Sequence, residues 1–251
     1  MSDSVSRFSN RVENYVKYRP DYPREILAYL SEVTGLTKEF VIADIGCGTG
    51  ISTRMWLENG NRVFGVEPNE AMRAAAAEFL KEFPWLMLVD GTSENTTLAD
   101  HSVDIVTAAQ AFHWFDLEKT KPEFRRILKP SGSVVLIWNE RQLDADDFHR
   151  EYEALLVKYS TDYSVVRHDR FDDSVLADFF DGEVRKRTFE NHQDFDFEGL
   201  KGRILSSSYM PTEGDERYPE LVKELETLFA KTNRDGRIKV LYDTNVYSSH
   251  V

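Results

Sequence analysis

The sequence is poor in the features that mark secreted, membrane-spanning and metal-binding proteins. Cys47 is its single cysteine among 251 residues, so no disulfide can form within the chain. No apolar run approaches the roughly 20 residues of a membrane-spanning helix, and the N-terminus shows no signal-peptide core. The six histidines are scattered, without the spacing of a metal site. We therefore expect a cytoplasmic protein with no metal and no membrane association.

Positive charge is also in short supply. The chain has 31 Lys and Arg against 44 Asp and Glu, a formal net charge of −13. Binding to a nucleic-acid backbone relies on clustered Lys and Arg. The single dense basic run, Arg185-Lys186-Arg187, lies in an alternating segment typical of a solvated strand face. We therefore expect no nucleic-acid partner, whereas the oligomeric state is left open.

The most informative stretch is VIADIGCGTGIST, which begins at Val41. Its apolar start, broken only by Asp44, predicts a strand that is buried on both faces. Three glycines follow at alternate positions, namely Gly46, Gly48 and Gly50. Glycine lets the backbone turn tightly with positive φ and approach a ligand closely. The helix expected from Ile51 onward would present free N–H groups to an acceptor or anion.

A dinucleotide-binding loop is the main alternative for this stretch. Its fingerprint places Gly or Ala five residues after the first glycine, where this chain has Ile51. The match therefore fails, although a nicotinamide-dependent oxidoreductase on a similar fold stays an alternative. A strand-to-helix turn with purely structural glycines is a second alternative.

The run Asp44-Ile45-Gly46-Cys47-Gly48-Thr49-Gly50 resembles the first motif of class I S-adenosylmethionine-dependent methyltransferases. This resemblance implies S-adenosyl-L-methionine as cofactor and S-adenosyl-L-homocysteine as product. It also implies an α/β fold, with a doubly wound, Rossmann-like sheet of seven strands that is mostly parallel and has its last strand antiparallel. The residues expected to contact the cofactor are Asp44, Gly46, Cys47, Gly48, Gly50, Glu67, Pro68, Thr92, Ser93, Gln110, Tyr18 and Arg19.

Strand and helix patterns alternate through the first half of the chain. Strands are predicted at 41–45, 62–67, 86–89, 103–109 and 134–138, and later at 183–195 and 237–247. Helices are predicted at 8–18, 24–33, from 51, 70–83, 116–128, 146–159, 173–180, 197–207 and 219–231. Alternation with short connections is typical of a parallel sheet, whose ligands bind beyond the carboxyl ends of the strands.

Two acidic or polar sites follow the second and third predicted strands. Glu67 ends the second strand, where a carboxylate can accept both hydroxyls of a ribose. Gly91-Thr92-Ser93-Glu94 is similar to the family's Gly-Asp-Ala-Glu loop, which contacts adenine. Thr92 stands where the acid is usual, so Asp90 is an alternative partner for the adenine amino group, and the contact from the Ser93 backbone is expected regardless.

The segment after the fourth strand carries the candidate catalytic residue. Gln110-Ala111-Phe112-His113-Trp114-Phe115 resembles small-molecule methyltransferases, including relatives of trans-aconitate methyltransferase. His113 is the candidate general base because the pKa of histidine falls near neutrality. A structural histidine bonded to the backbone is the alternative. Trp114 is a candidate for contact with the methyl acceptor.

An N-terminal segment is expected to cover the cofactor. The pattern Tyr-x-x-Tyr-Arg-Pro-x-Tyr-Pro, which begins at Tyr15, resembles the same relatives and includes Tyr18 and Arg19. Arg19 suits a carboxylate of the cofactor or of the acceptor. Tyr15 and, more weakly, Tyr209 are further candidates for acceptor contact.

The sequence as a whole predicts one methyltransferase domain over 1–251. We divide it into an N-terminal helical lid (8–34), a cofactor-binding core (38–140), an inserted helical cap (141–182) and a C-terminal part that completes the sheet (183–251). The predicted activity is methyl transfer to a small molecule at oxygen or nitrogen, a carboxylate among the oxygen acceptors. A protein that binds S-adenosylmethionine without catalysis is a further alternative.

Overall fold

The structure is a computed structural model that describes residues 17–161, 173–207 and 209–251. Its strands are β1 (Val41–Ile45), β2 (Arg62–Val66), β3 (Leu86–Val89), β4 (Val103–Ala109), β5 (Leu128–Arg141), β6 (Arg185–Phe195) and β7 (Ile238–Ser249). Its helices are α1 (Glu25–Thr34), α2 (Ile51–Asn59), α3 (Glu70–Phe79), α4 (Leu117–Ile127), α5 (Asp147–Tyr159), α6 (Asp173–Phe179), α7 (Phe197–Leu205) and α8 (Tyr218–Thr232). Most of the helix predicted at 8–18, including Tyr15, lies outside the described residues.

The seven strands form one sheet in the order β3-β2-β1-β4-β5-β7-β6. Strands β1 to β5 pair in parallel, and β7 pairs antiparallel with both β5 and β6. Six strands therefore run in one direction and β7 runs in the other, which confirms the predicted mostly parallel sheet. The strand order reverses between β1 and β4, and ligands bind at such a point in doubly wound sheets.

Two hydrophobic clusters cover the two faces of the sheet. One joins side chains of α4 and α6, such as Phe124 and Phe179, to the strands. The other joins side chains of α1 and α2, such as Leu30 and Trp56, to the opposite face. Residues of β1 and β4 are buried on both sides, which explains why their sequences are mostly apolar.

A third hydrophobic cluster lies beside the sheet. It combines side chains of α5, α7 and α8 with the adjoining ends of β6 and β7. Helix α5 therefore packs with α7 and α8, which come later in the chain, whereas α6 packs on the sheet. The division of the chain at residues 141 and 182 stays a prediction.

Two elements differ from their predicted bounds by more than two residues. Helix α3 ends at Phe79 instead of residue 83, because Pro84 disfavours helical backbone at the residue before it. The composition of Pro130-Ser131-Gly132 predicts a turn before a strand at 134–138. This prediction is wrong, since β5 begins at Leu128 and passes through these residues with a shift in its pairing to β4.

Within the described residues, no helix is long and apolar enough to cross a membrane. That part of the chain also contains no group of three His, Cys, Asp or Glu residues that could hold a metal ion.

Candidate functional site

The glycine loop that follows β1 has the backbone that its sequence requires. Gly46, Gly48 and Gly50 have φ values of 68°, 56° and 89°, which residues with side chains adopt at a cost. A Cβ on Gly46 would lie 2.7 Å from Ala111 Cβ, and one on Gly50 would lie 2.5 Å from Leu80 Cδ1. A Cβ on Gly48 would meet no protein atom within 4 Å. The outer glycines therefore serve packing, whereas Gly48 leaves open space beside the backbone.

The loop is fastened to the end of β2. The backbone N–H groups of Gly46 and Cys47 both donate to Val66 O, at 2.8 and 3.2 Å. The Cys47 side chain is buried over Gly65, which has no side chain to exclude it. Burial raises the pKa of the Cys47 thiol well above its usual range. This cysteine is therefore a packing residue rather than a nucleophile.

Asp44 lies under the glycine loop and is fully buried. Its Oδ2 accepts hydrogen bonds from Ser52 Oγ at 2.7 Å and from Thr53 Oγ1 at 2.6 Å, both on α2. Its Oδ1 is buried and has no partner among the described residues. Burial raises the pKa of Asp44 to about 6, against the opposing effect of the two hydroxyl groups. A buried carboxylate oxygen that lacks a hydrogen-bond donor in the protein is suited to a ligand that supplies such a donor.

Glu67 follows β2 and is held in place by two backbone donors. Gly48 N donates to its Oε2 at 3.0 Å and Asn69 N donates to its Oε1 at 2.9 Å. Each oxygen keeps a further lone pair. Burial raises the pKa of Glu67 above its ordinary value despite these bonds. Pro68 is exposed beside it, and Asn69 caps α3 by accepting from Ala71 N and Met72 N.

The loop after β3 is a tight turn. Thr92 and Asn95 exchange backbone hydrogen bonds, and Thr92 Oγ1 also accepts from Asn95 N at 3.2 Å. Ser93 is buried and its Oγ accepts from Thr120 Oγ1 at 3.1 Å. Asp90, the alternative adenine partner, forms an ion pair with Arg73 at 3.2 Å.

Glu94 lies between this turn and α4. Its Oε1 accepts from Asp116 N at 3.1 Å, and its Oε2 is buried without a partner among the described residues. Partial burial opposes its charge, but the neighbouring polar groups of Thr92, Asp116 and Ser93 outweigh that effect and lower the pKa of Glu94. Glu94 is therefore an ionised acceptor at neutral pH.

The turn after β4 begins with a strained residue. Gln110 has a φ of 57°, unusual for a residue with a side chain. Its N–H donates to Ile137 O at 3.0 Å and its Nε2 to Asn139 O at 2.9 Å, so β5 holds the turn in place. The next residue, Ala111, lies against Gly46, which brings this turn and the glycine loop into contact.

An aromatic side chain anchors the rest of this turn. Phe112 is fully buried, with its ring packed edge-on against Phe179 and Trp138. His113 is half-buried on the same 3₁₀ turn, and its ring centroid lies 4.8 Å from that of Trp114. Trp114 is exposed. The anchor thus presents His113 and Trp114 at the carboxyl edge of the sheet.

The N-terminal segment crosses this edge. Asp21 O accepts hydrogen bonds from Asn139 Nδ2 at 3.2 Å and from Asn191 Nδ2 at 2.8 Å. Arg19 Nη2 donates to Ser206 O at 3.1 Å. The Tyr18 ring packs on Gly202 of α7, where a Cβ would lie 2.1 Å from it. Tyr18 is thus engaged with the third cluster.

Tyr209 lies at the edge of the third cluster, and its carbonyl accepts from Thr161 N at 3.0 Å.

Two residues that hold the site together were not among the predicted site residues. Arg73 Nη1 donates to Glu67 O at 2.7 Å, and Asn139 links Gln110 to Asp21. Asn139 carried a signal in the sequence, since it is a polar residue directly after an apolar strand.

Comparisons with known proteins agree with this geometry. The family model of the methyltransferase domain matches residues 43–136. An uncharacterized methyltransferase-like protein of Schizosaccharomyces pombe is 27% identical over 249 residues, which cover 98% of this chain and 95% of that protein. An uncharacterized methyltransferase of Mycobacterium tuberculosis is 36% identical over 139 residues, which cover 55% of this chain and 54% of that protein.

Solved structures share the fold. A protein assigned as a type II methyltransferase from Anaeromyxobacter dehalogenans has a TM-score of 0.70 at 22% identity, over 93% of this chain and 98% of that one. Phosphoethanolamine N-methyltransferase 2 of Haemonchus contortus, solved with phosphomonomethylethanolamine and S-adenosylhomocysteine, has a TM-score of 0.53 at 17% identity, over 92% of this chain and 53% of that one.

The matched range 43–136 contains the glycine loop, Glu67 and the turn after β4. The trans-aconitate branch stays a prediction, because these relatives are named only as methyltransferases. Residues 43–136 therefore match the methyltransferase domain, and nearly the whole chain is similar to a protein named as methyltransferase-like and shares the fold of solved methyltransferases.

Proposed function

We propose that this chain binds S-adenosylmethionine over the glycine loop and transfers its methyl group to a small molecule. The observation that carries the proposal is the open space beside Gly48, bordered by Glu67 and underlain by Asp44. A side-chain-free backbone between two buried carboxylates fits a ligand that carries both a hydroxyl-rich sugar and a cationic tail.

The two carboxylates are assigned different partners. Glu67 would accept from the ribose hydroxyls, because backbone N–H groups already fix both of its oxygens and leave one lone pair on each. Asp44 would hold the ammonium group of the cofactor through its unpartnered Oδ1, directly or through water. Both groups are fixed before the ligand binds, which reduces the entropy lost on binding.

The loop after β3 is assigned to adenine. The Ser93 backbone and the Thr92 side chain are the expected contacts, with Pro68 beside the ring. Asp90 is a poorer partner than the sequence suggested, because it is engaged with Arg73. The ionised Glu94 connects this turn to the start of α4, because its carboxylate accepts a hydrogen bond from Asp116 N.

The cofactor supplies a methyl group that is already activated by its sulfonium sulfur. The protein's task is therefore to align the acceptor with the methyl group and to exclude water. Gln110, whose strained backbone is held by β5, would form the wall of the site between cofactor and acceptor. His113, on the next turn, would accept the proton of a hydroxyl or amine acceptor.

Turnover tests both the reaction and the role of His113. We expect release of S-adenosylhomocysteine when purified protein is given S-adenosylmethionine and a pool of small hydroxy, amino and carboxylic acids. His113→Ala should lower kcat by about 100-fold or more while leaving cofactor affinity unchanged, because general bases contribute about 10²- to 10⁴-fold. Equal turnover by the variant would remove His113 from the mechanism. Cofactor binding without turnover on any acceptor would favour a non-catalytic binding protein.

A further inference from the structure

Arg203, on α7, is a half-buried cation without an acidic partner. Its Nε donates to Tyr242 OH at 3.1 Å, and its Nη1 lies 3.4 Å from Ser206 Oγ and 3.3 Å from Ser207 Oγ. Tyr152 and Tyr209 lie close enough to interact with it electrostatically. Within the described residues, no carboxylate pairs with this guanidinium.

Other arginines of similar burial in this chain do have such a partner. Arg126 pairs with Glu123 at 2.7 Å, and Arg141 pairs with Glu153 at 2.5 Å. An arginine cannot lose its proton in a protein, and desolvating a charge without a counter-charge is costly. A cost of this kind is offset when a ligand supplies the negative charge.

A second arginine converges on the same residues. Arg19 donates to Ser206 O at 3.1 Å, next to the serine hydroxyls that contact Arg203. Arg19 also lines a cavity of about 340 Å³, together with Lys17 and Arg54 as further cations and Asp21 as the one acidic residue among the described residues of its lining. Arg54 is paired with Glu58 at 2.8 Å, so Lys17 and Arg19 supply the excess positive charge at this cavity in a chain with a net charge of −13.

Gln193 joins the cavity to Arg203. It lines the cavity, and its Oε1 accepts from Tyr242 OH at 2.9 Å, the hydroxyl that also accepts from Arg203. Ile51, the first residue after the glycine loop, lines the same cavity. The cationic group therefore adjoins the proposed cofactor site at the carboxyl edge of the sheet.

We propose that Arg19 and Arg203 together bind an anionic group, a carboxylate or a phosphate, of the methyl acceptor. The inference rests on the proposed function, since it names the substrate class of the same site. Guanidinium groups match both anions in geometry and form two parallel hydrogen bonds with them. The volume of the cavity is within the range of small-molecule sites.

The anionic group is an anchor and not the atom that receives the methyl group. Methylation of a carboxylate oxygen removes its negative charge, so an ion pair with arginine would weaken as the new bond forms. Such a pair would stabilise the bound acceptor more than the transition state and would slow the reaction. The anchored anion therefore leaves a second polar atom of the acceptor to be methylated.

Calorimetry with simple anions tests this inference. Purified protein, first saturated with S-adenosylhomocysteine, is titrated with succinate, with inorganic phosphate and with the neutral analogue succinamide. We expect binding of an anion and none of succinamide, and the anion that binds identifies the anchoring group as carboxylate or phosphate. Arg203→Met should weaken anion binding by roughly 30-fold or more and leave the affinity for S-adenosylhomocysteine unchanged.

Arg62→Met is the matched control, because Arg62 is an exposed arginine at the start of β2. It should bind the anion as the unaltered protein does. If Arg203→Met fails to fold, Arg203→Lys takes its place; it keeps the positive charge but cannot form two parallel hydrogen bonds with the anion, so weaker anion binding is again expected.

The outcomes separate this inference from the proposed function. A protein that binds S-adenosylhomocysteine but neither anion, or one that binds succinamide as well as succinate, overturns the anchor and leaves the cofactor site intact. Anion affinity that survives Arg203→Met overturns the anchor in the same way. A protein that does not bind S-adenosylhomocysteine overturns the proposed function, and the anchor with it.

Discussion

At the residue scale, the proposed cofactor site is marked by two carboxylates that burial makes harder to ionise. Asp44 and Glu67 both have a raised pKa, and desolvation is the largest cause in each. Neither is neutralised by an ion pair within the described residues. Groups with such perturbed pKa values cluster at functional sites.

We expect Asp44 to make cofactor binding depend on pH. Its pKa of about 6 lies above its ordinary value of 3.8, so the carboxylate that attracts an ammonium group is lost as the pH falls through 6. The affinity for S-adenosylhomocysteine should therefore fall about tenfold between pH 7 and pH 5. Calorimetry across this range measures it. Asp44→Asn should bind more weakly at pH 7 and lose most of this pH dependence; a variant as pH-dependent as the original protein would contradict the assignment.

The raised pKa of Asp44 also makes stability depend on pH, and stability changes with pH in the opposite direction to cofactor affinity. Between pH 4 and 6 the folded protein binds more protons at Asp44 than the unfolded chain does, so the free energy of unfolding decreases as the pH rises through this window. Asp44→Asn should therefore raise the free energy of unfolding at pH 7 by about 1 to 3 kcal/mol. Urea denaturation at pH 7 and pH 4 checks this, with the gain expected to shrink at pH 4.

The three glycines of the loop should respond differently to alanine. Gly48→Ala should lower the free energy of unfolding by only about 1 kcal/mol, from its positive φ, while weakening S-adenosylhomocysteine binding by about tenfold or more. Gly50→Ala should cost about 2 to 4 kcal/mol of stability, because its Cβ would also overlap Leu80. Gly236→Ala is the control, since Gly236 has φ 74° and open space but lies in the turn between α8 and β7. If Gly48→Ala bound S-adenosylhomocysteine as strongly as Gly236→Ala does, the proposal that the cofactor lies beside Gly48 would be contradicted.

At the scale of secondary-structure elements, an ion pair on α4 fastens the loop between β3 and β4. Glu123 Oε1 accepts from Thr96 N at 2.7 Å and from Arg126 Nη2 at 2.7 Å, and Arg126 Nη1 donates to Leu98 O. Burial of Glu123 opposes its charge, but these hydrogen bonds outweigh that effect and lower its pKa to about 2. The ionised carboxylate therefore stabilises the folded chain above the ordinary pKa of 4.5.

Glu123→Gln should destabilise the protein by about 1 to 3 kcal/mol at pH 7, because it removes a charge from these hydrogen bonds. The contribution of Glu123 is lost as the pH falls from about 4.5 towards 2, since the folded-state pKa lies below the unfolded one. Urea denaturation of both proteins at pH 7 and at pH 3 checks this. A difference in unfolding free energy that did not shrink with acid would show that the charge is not its source.

Elements with a strong local signal could be predicted from the sequence. The five parallel strands were recognisable as short apolar runs, and α3 was recognisable from Asn69 as its cap. The bounds failed where tertiary pairing overrode local propensity. Pro130-Ser131-Gly132 has the composition of a turn, but pairing of Leu128 and Ser133 with β4 keeps it within a strand.

In the candidate site, the residues that we propose to face the ligand could be selected from the sequence, whereas the residues that support them could not. Asp44, Glu67 and Gln110 occupy fixed places relative to glycines and strand ends, which a sequence displays. The contact of Ala111 with Gly46, and the link from Gln110 through Asn139 to Asp21, join residues far apart in the chain. Such contacts depend on the order of strands in the sheet, which no local pattern specifies.

At the scale of the whole molecule, the distribution of charge matters more than its total. The net charge of −13 favours a small-molecule partner over nucleic acid. The cations that face the 340 Å³ cavity are a local exception to that charge. Arg203 gave no signal in the sequence, since an arginine on an amphipathic helix is ordinarily a surface residue; only its packing beside β7 distinguishes it.

The central claim is that the glycine loop and Glu67 bind the nucleoside of S-adenosylmethionine, and calorimetry with S-adenosylhomocysteine tests it most directly. We predict binding of one molecule per chain, with affinity lost in Glu67→Ala and in Gly48→Val but kept in Gly236→Ala. The claim would be contradicted if the unaltered protein did not bind S-adenosylhomocysteine, or if Glu67→Ala and Gly48→Val bound it as tightly as the unaltered protein does.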